Sequence, residues 1–128
     1  MTAAMGAGWF GGLVAGTAVL CALLAVAWLR FGGVLLSLMG AGTPMATGVV
    51  ARRNAALFLG FAVLLWRAPL QDPQVRAAVG LGFGTACAGL ALLGLYEFRR
   101  GRVGHGIWLA AAVEALLAIG FIAGGLAA

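Results

Sequence analysis

From Trp9 to Leu29 the chain reads WFGGLVAGTAVLCALLAVAWL, with no charged side chain. About twenty apolar residues are enough to cross the hydrocarbon of a bilayer as a helix. A second run of this kind closes the chain, IWLAAAVEALLAIGFIAGGLA from Ile107 to Ala127, and it holds a single carboxylate, Glu114. The whole chain is 64% hydrophobic and 9% charged. Soluble domains carry roughly 25% charged residues, so the composition belongs to a chain that lipid covers.

All eight basic residues are arginine, against three acids, for a net charge of +5. They sit between the apolar runs, where topology signals and anionic headgroups account for them, and nucleic-acid binding is not expected. Cys21 and Cys87 are isolated within apolar runs. With no paired spacing they suggest neither a zinc site nor a redox motif, and no metal or cofactor is expected. The N-terminus has no basic residue ahead of its first apolar run, which argues against a cleaved signal peptide.

Taken in order, Trp9 and Trp28 bracket the first run as interfacial indoles do. Gly12 and Gly16 on it form a small-xxx-small pair suited to close helix approach. Phe31 to Ala51 holds Pro44 among several glycines, and is expected to be a short interfacial or re-entrant piece followed by a loop. A fifth crossing is the alternative. Asn54 is the expected N-cap of a second helix running to Trp66, with Arg67 snorkelling. The turn RAPLQDPQ should fold the second and third helices into an antiparallel hairpin. The third helix starts at Val75 or Ala77 and ends near Phe98, with Gly80, Gly84 and Ala88 on one face. The fourth begins after the basic loop and carries Gly120 and Gly124.

The expected fold is all-α: one domain, residues 1–128, forming a four-helix transmembrane bundle. Arg30, Arg52, Arg53, Arg99, Arg100 and Arg102 lie in the two longer loops, against Arg67 and Arg76 in the middle turn. The positive-inside rule then places the longer loops in the cytoplasm of a bacterial inner membrane and both termini outside.

Glu114 is the one candidate for chemistry. A carboxylate in hydrocarbon costs about 2.5–3.5 kcal/mol on insertion scales and therefore faces protein or a wet cavity. Arg30, Arg53 and Asn54 lie at the same end of their helices and are candidates to meet it, as a register-fixing clamp or as part of a ligand site. A contact to a neighbouring subunit is the third option. His105 reads as a solvated loop residue, and Thr17 and Thr85 are expected to bond to carbonyls of their own helices.

From Met39 onward the chain resembles small uncharacterised bacterial four-helix membrane proteins, loosely DoxX-like. The features are Arg53-Asn54-Ala55-Ala56-Leu57-Phe58-Leu59-Gly60, Trp66 ending a helix, an Asp-Pro turn with Arg76, a glycine-rich third helix, and a basic glycine loop before Trp108. The resemblance implies a four-helix architecture and carries no site residue across. Glycine faces beyond the evident needs of one bundle predict a homo-oligomer or a larger complex. Three functions are open: a non-catalytic accessory or scaffold subunit, a transporter or binder of a lipophilic or protonatable small molecule through Glu114, and a membrane enzyme using Glu114 as acid or base.

Overall fold

The computed structural model describes the backbone of residues 2–38 and 44–127, and the side chains of residues 8–38 and 51–127. Four helices account for nearly all of it: α1 Thr2–Leu38, α2 Pro44–Arg67, α3 Pro73–Arg99 and α4 Ile107–Leu126. The stretches Gly8–Leu38, Pro73–Arg99 and Ile107–Leu126 are long and apolar enough to cross a membrane. α2 does not reach that standard among the described residues. It carries Arg52, Arg53 and Arg67, and its uncharged part, Asn54 to Trp66, rises only about 20 Å.

Three boundaries differ from expectation. The segment after Leu29 is helical: α1 bends at Phe31 (φ −128°, ψ 26°) and continues to Leu38. α2 begins at Pro44, so Asn54 lies inside the helix and is not its N-cap. Proline at the start of a helix has no N–H to lose and a φ already suited to it, so Pro44 opens α2 where it was expected to break a helix. Residues 39–43 of the predicted loop lie outside the described residues. α3 also starts early, at Pro73, because the Asp72 carboxylate caps it by accepting from the Gln74 N–H at 2.9 Å.

The C-terminus of α3 is held by its backbone. The Gly101 N–H donates to the Phe98 carbonyl and the Arg102 N–H to the Glu97 carbonyl, each at 3.0 Å, with Gly101 at φ +73°. This is the Schellman arrangement, in which glycine takes a left-handed conformation that a Cβ disfavours. The Arg102 guanidinium adds an ion pair to Glu97 at 3.1 Å.

The helices pair as two antiparallel hairpins, α1 with α2 and α3 with α4. A short turn joins α2 to α3, but among the described residues their backbones do not pack closely. Those two meet through side chains, with the Phe61 and Phe83 rings 5.6 Å apart. Glycine is the reason for the pairing of α3 with α4. A Cβ on Gly80 would stand 2.5 Å from the Phe121 carbonyl oxygen, and one on Gly84 would stand 2.6 Å from the Ile122 side chain. Only bare backbone permits that approach.

The two hairpins join along an aromatic seam. Ring centroids run from Trp9 to Phe10 (5.9 Å), Phe10 to Phe121 (5.9 Å), Phe121 to Phe83 (4.7 Å), Phe83 to Phe61 (5.6 Å) and Phe61 to Phe58 (6.3 Å). All four helices contribute, and Phe10, Val14 and Phe121 are fully buried. Phe10 lies against Gly124 and Leu13 against Gly120, so the N-terminal part of α1 and the C-terminal part of α4 share one end of the bundle. Toward the other end α1 and α2 form a separate cluster of Trp28, Ala51 and Ala55. Trp28 is 7% exposed and packs between α1 and α2, because α1 continues past it and lays Gly32 on Ala51. Trp9 is 48% exposed.

Large apolar side chains point outward. On α4, Leu109, Leu116, Ile119 and Leu126 are about 70% exposed, while Ala111, Ala118, Phe121, Gly124 and Gly125 face in. Soluble monomers rarely show contiguous apolar surface on this scale.

Candidate functional site

Glu114 is the eighth residue of α4, about 10 Å along the helix from Ile107. It is half-buried, and the registers set by Leu13 on Gly120 and by Gly84 on Ile122 place it within about one and a half helical turns of Cys21 of α1 and Cys87 of α3 along the bundle axis. Both thiols are free and buried.

No hydrogen bond or ion pair joins Glu114 to Arg30, Arg53 or Asn54 among the described residues, where the sole salt bridge is Arg102–Glu97. Arg30 and Arg53 are exposed and Asn54 half-buried. Gly32 on Ala51 sets the register of α1 against α2, and counting back at equal rise puts Arg30 level with Arg53. Counting down from Leu13 on Gly120 brings Arg30 level with the loop of Arg99, Arg100 and Arg102. These arginines form a belt at one end of the molecule, a helical turn or more from Glu114.

The other polar groups have local partners. The Thr17 hydroxyl donates to the Leu13 carbonyl at 2.7 Å and that of Thr85 to Leu81 at 2.6 Å, four residues back in each case as expected. The Arg100 Nε donates to the Tyr96 hydroxyl at 3.2 Å, with the guanidinium 5.4 Å from the ring centroid. His105 is exposed, its ring 5.1 Å from Phe98. No three His, Cys, Asp or Glu residues come together as metal ligands among the described residues.

The glycine faces divide into two kinds. Gly80, Gly84, Gly120 and Gly124 are occupied within the chain. Among the described residues Gly8, Gly12 and Gly16 have nothing within 4 Å of where a Cβ would stand, and the same holds for Gly60 on α2 and Gly82 and Gly89 on α3. Gly8, Gly12 and Gly16, together with exposed Ala15, make one open small-residue face on α1, opposite Phe10, Val14 and Ala18.

The aromatic seam was not foreseen from the sequence. Phe10, Phe58, Phe61, Phe83 and Phe121 lie far apart along the chain, and only the helix pairing brings their rings together. Comparison of the chain with protein-family models, with curated proteins and with solved structures finds no match.

Proposed function

We propose that this chain is a multi-pass integral membrane protein acting as a non-catalytic accessory or scaffold subunit, docked through the open face of α1. Lipid is the solvent that suits the outward leucines and isoleucines, and α2 crosses as the fourth span because it packs along α1. The short reach of α2 is met by Arg53 and Arg67, whose long side chains snorkel to the interface. The belt of six arginines faces the cytoplasm of a bacterial inner membrane, with both termini on the far side.

The observation that carries the docking role is the contrast between the Gly8–Gly12–Gly16 run of α1 and the glycines packed within the bundle. In lipid, helices associate by close packing over small residues, since apolar area alone gives no preference for protein over lipid. Gly80, Gly84, Gly120 and Gly124 already serve that purpose inside the bundle, whereas Gly8, Gly12 and Gly16 present bare backbone to nothing among the described residues. The occupant is another membrane helix, from a second copy or a different subunit. Native mass spectrometry after gentle extraction tests this: the wild type travels with a second chain, and the double variant Gly12→Leu/Gly16→Leu travels alone with its helix content intact. A wild type that is monomeric and bare overturns the proposal.

A second reading rests on Glu114, a half-buried carboxylate without a protein partner among the described residues. It makes the bundle a binder or transporter of a lipophilic cation or protonatable solute. In that case Glu114→Gln abolishes retention of a co-purifying small molecule while the fold survives. Retention equal to wild type removes the reading.

A further inference from the structure

On the side of α2 away from its buried Ala55, Ala62 and Leu65, exposed residues fall at helical spacing: Arg53, Ala56, Leu57, Gly60 and Leu64. Arg53, Ala56 and Leu57 line a recess on this face. Gly60, one turn further on, has nothing within 4 Å of where a Cβ would stand. Leu57 and Leu64 are 58% and 56% exposed. The recess heads a shallow apolar trough on the open surface of α2, the exposed strip of Ala56, Gly60 and Leu64, which runs about 16 Å from Arg53.

We propose that this trough binds one anionic phospholipid, with its phosphodiester on Arg53 and an acyl chain along Ala56, Gly60 and Leu64. The inference rests on the membrane reading above. Charge and shape select the occupant. Arg53 sits at the level of the arginine belt, where headgroups lie, and has no acidic partner among the described residues. Its planar fork fits two phosphate oxygens at once. The small residues Ala56 and Gly60 leave room for a hydrocarbon chain beside Leu57 and Leu64. A zwitterionic lipid would bring its own cation to the same guanidinium, so a net negative headgroup such as phosphatidylglycerol is preferred.

The test reconstitutes the full chain in phosphatidylcholine vesicles holding a minor fraction of phosphatidylglycerol, then counts retained lipids by native mass spectrometry. Wild type should retain one phosphatidylglycerol, enriched about tenfold over its share of the bilayer, the size expected of one charge-assisted Arg–phosphate contact. Arg53→Gln should return the ratio to that of the bilayer. Gly60→Leu fills the trough without touching the bundle, and should also abolish retention. Arg99→Gln makes the same charge change elsewhere in the belt and should leave retention unchanged.

Equal loss in Arg53→Gln and Arg99→Gln would mean attraction to bulk charge only, and overturns the site. Loss in Gly60→Leu alone would mean that the trough takes an apolar partner such as a helix, and overturns it too. A wild type that resists alkaline carbonate extraction but shows no enrichment sinks this proposal alone. A wild type that carbonate releases from the vesicles sinks the membrane reading with it.

Discussion

A single methyl group separates Gly80 from Gly16. At Gly80 an added Cβ meets backbone atoms of Phe121 and Gly125 at 2.5–2.6 Å, and two helix backbones cannot yield as a flexible side chain would. Gly80→Ala should therefore destabilise the bundle by about 1–3 kcal/mol, as overpacking does. Gly16→Ala adds a methyl to open space and should leave stability in detergent unchanged. Thermal unfolding followed by circular dichroism reads both. The two glycines look alike in the sequence, because both sit in four-residue spacings within apolar runs. Which face is used depends on what the partner helix presents, and only the pairing of α3 with α4 reveals it. Glu114 was similarly half legible. Its apolar neighbours made burial the expectation, but one charge defines no helix face, so neither its half-buried orientation nor its distance from the arginine belt could be read from spacing.

At the scale of elements, the helices were legible in number and less so in length. Apolar runs announce spans, yet they say nothing of helix that continues beyond the hydrocarbon. α1 bends at Phe31, level with the arginine belt, and runs on to Leu38, where Gly32 meets Ala51 of α2. The glycines and proline after Phe31 suggested a loop because proline was weighed as a breaker and not as a first-turn residue. Trp28 holds this extended hairpin together with Ala51 and Ala55. Trp28→Ala should raise hydrogen exchange in α1 around residues 24–36 and leave α3 and α4 unaffected. The end of α3 gives a second check. Gly101 at φ +73° closes the Schellman turn, and Gly101→Ala should cost about 1 kcal/mol there. Faster amide exchange at Arg102 would report it, and an unchanged rate would mean that the Arg102–Glu97 pair alone fixes the turn.

Among the described residues, the interior is lined mainly by alanine, glycine and phenylalanine, and most leucines point outward. That inversion suits a chain whose helices adhere by fit and not by escape from water. The all-helical class was plain from composition, but the grouping into two hairpins was not. Chain order made α2 and α3 look like close partners, whereas bare backbone drew α3 to α4 and aromatic rings joined the two pairs. With Gly80, Gly84, Gly120 and Gly124 consumed internally, the account depends on the Gly8–Gly12–Gly16 face of α1, the one run of open glycines at four-residue spacing among the described residues. The most direct test places a photo-reactive side chain at Val19, on the rim of that face, and separately at Ile119 on the outer side of α4, and irradiates the native membrane. The account predicts a protein adduct from Val19 and lipid adducts alone from Ile119; lipid alone from Val19, or a protein adduct from Ile119, would contradict it.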